Sequence, residues 1–159
     1  MGTEHEANTI EPVTPQAIAA IFDAEKLDYR IDPAGDEAAG DLVRSGFINA
    51  AIVLGVDGSN LVFEALWRGS PPTSLASDVL FAVNEYNQLQ FAPTLRMFET
   101  EGQTLAVSAI RSLEVSEGAS FNQLGAFIVH SIEATMHAFA FLEASFPTLV
   151  IWKDPHDEH

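Results

Sequence analysis

The pattern of apolar and polar positions begins with a helical period. Ile18, Ile21 and Phe22 have the i, i+3, i+4 spacing of one apolar helix face. They follow Thr14–Pro15, a threonine that can cap free N–H groups and a proline that suits the first helical position. The pattern therefore predicts a short amphipathic helix that runs to about Leu27.

Two further helices are predicted later in the chain. The first covers residues 74–89, where apolar residues again recur at helical spacing. The second covers residues 120–146, and Ser120 and Gln123 at its start have the S-x-x-Q spacing of a capping box. Because proline cannot continue a helix, Pro147 ends it.

Alternation with a period of two predicts strands between these helices. Residues 48–56 and 61–68 flank Asp57–Gly58–Ser59–Asn60, a turn sequence whose residues tolerate positive φ, so they are expected to form a hairpin. Residues 34–41, which are rich in Gly, Ala and acids, predict a loop. The other predicted strands are residues 29–32, 93–100 and 104–115.

The order of these elements is α-β-β-β-α-β-β-α. Since hairpins pair strands in an antiparallel manner, we predict an α+β fold in which an antiparallel sheet of about five strands carries its helices on one face. We place this single domain at residues 14–147. Residues 1–13 are expected to form a flexible acidic tail, and residues 148–159 a C-terminal tail.

Charge is the most uneven property of the sequence. Twenty-three acidic and seven basic residues give a formal net charge of −16, which predicts repulsion from nucleic acid and from anionic membranes. Polar residues interrupt the long apolar stretch 121–146, which argues against a membrane span. The N-terminus has no apolar signal region, and the lack of cysteine suits a reducing compartment. We expect a cytoplasmic protein.

Catalytic signatures are missing from the sequence. The lack of cysteine excludes thiol catalysis, thiolate zinc sites and iron–sulfur clusters. The sequence has no nucleophile-elbow, phosphate-loop or dinucleotide-binding motif. Paired carboxylates such as Glu99 and Glu101 flank a predicted turn, where water is expected to reach them, whereas acid–base catalysis needs a buried carboxylate. We therefore expect a protein that is not an enzyme and that needs no cofactor.

Three polar residues on the last helix form the strongest candidate for a metal site. His130, Glu133 and His137 lie near one stripe. However, residues at i and i+7 are about 10.5 Å apart along a helix axis. One zinc ion, with Zn–N bonds of about 2.0–2.1 Å, cannot reach both histidines. We predict no metal site, and we interpret the stripe as polar positions at the edge of the core or of an interface.

The last helix also carries a second row beside the apolar row that can cover the sheet. One helix on one sheet needs only one row. The second row therefore either packs on the first helix or forms a dimer or partner surface. Trp67 has the same two interpretations, as a core residue or an interface anchor. The candidate surface residues are Trp67, Phe127, His130, His137 and Phe141, with Ala134 in the same row.

Three features of the second half occur together. They are Val83-Asn84-Glu85-Tyr86-Asn87 at a helix end, a strand pair around Glu101–Gly102, and Glu117–Gly118–Ala119–Ser120 before a Phe-rich helix. Through these three features, residues 79–146 resemble the YbjN-like family of bacterial proteins, which are often labelled sensory transduction regulators. The resemblance implies a fold similar to that of type III secretion chaperones, which commonly dimerise. It implies no catalytic residues.

Two asparagines in the first of these features have a structural interpretation. Asn87 can adopt the left-handed conformation that ends a helix. Asn84 can bond to free carbonyl groups there or to the neighbouring strand. We therefore predict that both residues stabilise a helix end.

The function expected from these observations is that of a non-enzymatic protein-binding module, chaperone-like or regulatory, that acts as a homodimer with a protein partner. The alternative is a small-molecule or metal-binding sensor that uses a cleft near Trp67 or the face of His130 and His137. An enzyme would need a buried acid or histidine with a shifted pKa in a cavity.

Overall fold

The computed structural model describes residues 8–33 and 41–152. The three α-helices are α1 (Pro15–Ala24), α2 (Ala76–Leu89) and α3 (Phe121–Ser145). The strands are β1 (Arg30–Asp32), β2 (Leu42–Phe47), β3 (Ala50–Asp57), β4 (Asn60–Trp67), β5 (Thr94–Glu99) and β6 (Leu105–Glu114). Short 3₁₀ turns cover Thr73–Leu75 and Pro147–Leu149.

The strands form one sheet in the order β1-β2-β3-β4-β6-β5, and every neighbouring pair is antiparallel. Helices α1 and α3 contact each other, and α3 also contacts β4 and β6. Helix α2 contacts β5 and α3, so the helices form one layer over one face of the sheet. The predicted α+β fold with helices on one face is confirmed. We call the helix-covered side the inner face and the opposite side the outer face.

The prediction of about five strands missed β2. Six strands form the sheet, and β2 joins β3 through a two-residue turn at Ile48 and Asn49, with Phe47 paired to Ala50. The prediction placed these turn residues inside a strand, because neither is glycine or proline and Ile48 is apolar. In the structure Ile48 is 62% exposed.

Local capping chemistry sets the helix starts as predicted. The Thr14 side chain accepts a hydrogen bond from the Ala17 N–H, and proline follows at the first helical position. The Ser120 side chain accepts from the Gln123 N–H, while Gln123 accepts from the Ser120 N–H. Caps of this kind stabilise a helix by about 1 kcal/mol each.

The core lies between α3 and the inner face of the sheet. Alternate residues of the central strands point inward and are buried, and Leu54, Phe63 and Ala109 have no exposed surface. By length and composition alone, α3 is apolar enough to cross a membrane. Its buried side chains, Ile128 and Phe139 among them, belong to this core, which accounts for its apolar composition.

The domain is longer at both ends than the predicted bounds 14 and 147. Glu11 and Ala119 form an antiparallel bridge through two backbone hydrogen bonds, and Val13 packs on the core. Leu149 and Trp152 also pack on the core. Residues 8–13 and 148–152 are therefore parts of the domain. The rest of the predicted tails and nearly all of the predicted loop, at 1–7, 34–40 and 153–159, lie outside the described residues.

Candidate protein-binding surfaces

Trp67 is a core residue and not a surface anchor. It ends β4 on the inner face and is 2% exposed. Its indole N–H donates to Glu143 Oε2 at 3.3 Å, and the same oxygen accepts from Asn49 Nδ2 at 2.8 Å. Trp152 meets the Trp67 ring edge-on, with ring centroids 6.1 Å apart. This network joins the end of α3 and the C-terminal segment to the sheet.

A cleft lies beside the two tryptophans, where β4 ends and β6 begins. Its volume is about 450 Å³. Leu66 and Ala106 provide apolar walls, and Arg68 is the charged residue that lines it. The predicted cleft near Trp67 is therefore present in the structure, with an apolar lining and one cation.

Phe127, one of the candidate surface residues, is also buried. The Arg111 guanidinium of β6 lies over its ring, 5.1 Å from the centroid. The same guanidinium donates to the Ser131 hydroxyl at 3.2 Å. The second row of α3 therefore packs on β6 at this point.

The other end of the second row packs on α2. Phe141 lies 5.4 Å from the Tyr86 ring, and the Tyr86 hydroxyl lies 3.3 Å from His137 Nδ1. Burial raises the pKa of the Tyr86 hydroxyl, so this group stays protonated at neutral pH and can donate to the imidazole. Phe141 is half-buried as a result, whereas His137 remains exposed.

The polar stripe of α3 lies in water. His130, Glu133 and His137 are all exposed. Within residues 8–33 and 41–152, no group of three or more histidines and acids is placed to hold a metal ion. The stripe is part of the exposed surface of α3, beside the half-buried Phe141.

Asn87 makes a structural contact that differs from the predicted one. It lies inside α2, and the non-glycine residues with positive φ in the described chain are Lys26 and Gln103, so the left-handed conformation predicted for Asn87 is wrong. Its amide instead bonds the backbone of Leu95 in β5. The bond to the neighbouring strand that was predicted for Asn84 is thus made by Asn87. Asn84 is exposed.

The outer face of the sheet is a surface that the sequence prediction missed. An antiparallel sheet with one solvated face normally places polar residues there. Here about half of the outward positions of the central strands are apolar, and most of these apolar side chains are only partly covered. Leu66 is 42% exposed. The apolar outward residues of these strands are Ala51, Val53, Val62, Leu66, Ala106 and Ile110. The near-continuous apolar runs in β3 and β4 were the signal for this.

Cations concentrate on this outer face. Among the six Lys and Arg residues in the part of the chain that the structure describes, four lie there, and two acids pair with three of them. Asp32 Oδ2 accepts from both Arg30 Nε and Arg44 Nε, and Glu64 pairs with Arg96. The four cations are Arg30, Arg44, Arg68 and Arg96. Most of the cations among the described residues therefore lie on the outer face.

A groove on the opposite side runs between α2 and the end of α3. Its volume is about 570 Å³. Phe81 on α2 is 69% exposed and faces the half-buried Phe141 and Phe146 across it. Asp78 and Glu85 line the α2 side. The groove thus combines an apolar floor with acids on one wall.

Comparison with known proteins gives a match at the level of the fold. No protein-family model and no curated protein matches the chain. The crystal structure of YbjN from E. coli, described as a candidate transcription regulator, superposes with a TM-score of 0.68. The alignment covers 89% of this chain and 98% of YbjN, at 13% sequence identity. The chain has the YbjN fold. The resemblance predicted from residues 79–146 is thereby confirmed as a likeness of fold.

Proposed function

We propose that this chain is a non-catalytic protein-binding module of the cytoplasm that forms a homodimer through the outer face of its sheet and binds a protein client. The observation that carries the proposal is the outer face itself. It has a partly exposed apolar centre, and exposed apolar patches on globular proteins mark interaction sites. A two-layer fold has no structural need for apolar residues there.

Electrostatics favours a second copy on this face. Two chains of charge −16 repel each other, and the repulsion is strongest where acids face acids. The outer face of each copy carries arginines together with Glu64 and Asp32. The repulsion between the two net charges is therefore weakest when the two copies meet through these faces.

A non-catalytic role is supported by the environment of the acids and histidines. His130, Glu133 and His137 are exposed, and catalytic groups normally lie in a water-excluding cavity that shifts their pKa values. YbjN is described as a candidate transcription regulator. Because a net charge of −16 is repelled by DNA phosphates, a regulatory role of this chain is better served by contacts with proteins than by direct contact with DNA.

The test of the dimer is sedimentation velocity over a range of concentrations, with Leu66→Glu and Phe91→Glu as variants. Leu66 lies on the outer face, whereas Phe91 is fully exposed after α2. Both variants add one negative charge in place of an apolar side chain. We expect the wild-type protein and Phe91→Glu to dimerise and Leu66→Glu to be monomeric. A wild-type monomer, or a dimer that both variants leave intact, contradicts the outer-face interface.

A second candidate function is small-molecule binding in the cleft beside Trp67 and Trp152. The observation that favours it is the cleft volume of about 450 Å³, which lies in the range of small-molecule sites. The apolar walls and Arg68 suit an apolar molecule with a carboxylate. The chain has two tryptophans, and both line this cleft, so their fluorescence reports on it. The test is a titration with aromatic carboxylates, in which the Arg68→Ala variant is compared with the wild-type protein. Tryptophan emission that stays unchanged in both proteins argues against this function.

A further inference from the structure

We propose that the groove between α2 and the end of α3 binds a basic amphipathic helix of the client. This inference rests on the proposed protein-binding function and names the chemistry of the partner. Phe81 is the principal apolar contact, and Asp78 and Glu85 are the charges that select the ligand.

The apolar floor comes from two helices and the turns that adjoin them. Leu75 precedes α2, and Phe146 ends α3. Phe141 is held in place by the Tyr86 ring, 5.4 Å away. Phe81, in contrast, is 69% exposed, so neighbouring side chains leave most of it uncovered. A concave apolar site with one exposed aromatic side chain is a favourable place for an anchor residue of a partner.

The charge around the groove selects a cationic partner. Helices α2 and α3 contain no Lys or Arg, and none occurs in residues 69–95 or 112–152 of the sequence. The acids of α2 therefore face the groove without a neighbouring cation on either helix. A second copy of this acidic chain is disfavoured here, in contrast to the outer face of the sheet. A partner with lysines or arginines around its apolar residues gains electrostatic attraction during approach.

The shape of the site favours a helical segment. The volume of about 570 Å³ has room for a few large side chains but not for a folded domain. An amphipathic helix presents such side chains at i, i+3, i+4 and i+7 along one stripe and lies in a groove between two helices. Its flanking cations can then reach Asp78 and Glu85 on the α2 wall.

The experiment measures the binding of a fluorescein-labelled peptide by fluorescence anisotropy. The probe is a 14-residue helix with leucines at positions i, i+3, i+4 and i+7 and lysines elsewhere. The controls are a peptide with glutamate in place of lysine and a peptide of the same composition in scrambled order. We expect the lysine peptide to bind and both control peptides to bind at least about tenfold more weakly.

Protein variants assign the binding to the groove. Phe81→Ala should weaken binding at least about tenfold, as removal of a central anchor does. Leu80→Ala is the matched control, since Leu80 is 46% exposed on the same helix but does not line the groove. The double change Asp78→Lys with Glu85→Lys should weaken binding to a similar degree. The control for net charge is Glu99→Lys with Glu101→Lys, at the exposed β5–β6 turn.

Three results of the binding experiment overturn the proposal. They are the absence of peptide binding, equal binding by Phe81→Ala and Leu80→Ala, and equal losses from the two lysine pairs. The oligomeric state of each variant is measured separately. If Phe81→Ala abolishes self-association, a second copy occupies the groove and the inference fails. If dimerisation persists while the peptide does not bind, the inference fails but the proposed dimer stands.

Discussion

The side-chain amide of Asn87 bonds both backbone groups of Leu95, with Nδ2 donating to the carbonyl oxygen and Oδ1 accepting from the N–H, each at 2.9 Å. Leu95 lies in β5, which is an edge of the sheet. These two backbone groups point away from β6, so no strand can satisfy them. Asn87 therefore takes the place of a neighbouring strand and ties α2 to the sheet.

Replacement of this amide should destabilise the domain. Asn87→Ala leaves both Leu95 groups to water at the sheet edge, and we expect a loss of about 1–3 kcal/mol in the free energy of unfolding. Asn84→Ala, on the same helix at an exposed position, is the control and should change it by less than about 0.5 kcal/mol. Urea denaturation measures both. Equal values for the two variants contradict the role given to Asn87.

Position 118, two residues before the N-cap of α3, must be glycine for two reasons. Gly118 has a φ of +84°, and a Cβ at this position would overlap the carbonyl oxygen of Glu11. We expect Gly118→Ala to lower the free energy of unfolding by about 1–3 kcal/mol, the usual cost of a strained backbone position. Gly102→Ala is the control, because nothing lies within 4 Å of a Cβ at Gly102. Thermal melts measure both variants. Equal melting temperatures would contradict this prediction, because they would mean that the backbone at the Glu11–Ala119 bridge moves to make room for the Cβ.

A buried hydroxyl on the outer face should be dispensable. Ser108 has no exposed surface, and its Oγ makes no hydrogen bond within the described residues. Since an unpaired buried hydroxyl costs about 1–3 kcal/mol, Ser108→Ala should raise the free energy of unfolding. Ser112→Ala, at an exposed position of the same strand, should leave it unchanged. A loss of stability in Ser108→Ala would mean that its hydroxyl has a partner in solution.

The carboxylate of Glu143 links three parts of the chain, because its Oε2 accepts from Asn49 and from Trp67. Glu143→Ala removes both bonds and should lower the free energy of unfolding by about 1–3 kcal/mol. It also admits water to the indole, so the tryptophan emission should shift to longer wavelength. Glu133→Ala, on the same helix but exposed, should shift neither quantity.

Salt should affect the two proposed interactions in opposite directions. Screening weakens the repulsion between two chains of charge −16, so dimerisation should strengthen between 50 and 500 mM salt, concentrations that span Debye lengths of roughly 14 to 4 Å. Binding of the lysine peptide should weaken over the same range, because its attraction to the acids is screened. Sedimentation and anisotropy measure the two effects. Parallel trends would contradict the assignment of the two surfaces.

The sequence predicts those parts of the fold that depend on neighbours along the chain. Thr14 and Ser120 cap helices through residues three positions away, and the Asp57–Asn60 turn needs only its own four residues. Strand β2 was missed because its turn, Ile48–Asn49, contains neither glycine nor proline and begins with an apolar residue.

The candidate surfaces depend on tertiary contacts, which a single row of residues does not specify. The spacing along α3 predicts its second row, but the side chains that contact Phe127 and Phe141 come from β6 and α2. Likewise, the arginines come to share one face only when the sheet forms, because Arg30 pairs with Arg44 at one edge of the sheet and Arg96 lies in the strand at the other edge.

The placement of all three helices on one face of the sheet determines the valency of the proposed dimer. Two copies joined through their outer faces point their helical layers in opposite directions. The two α2–α3 grooves then open away from each other, on far sides of a four-layer particle. One short client segment cannot reach both, so it gains no avidity from the second site. The dimer would instead bridge two separate client molecules.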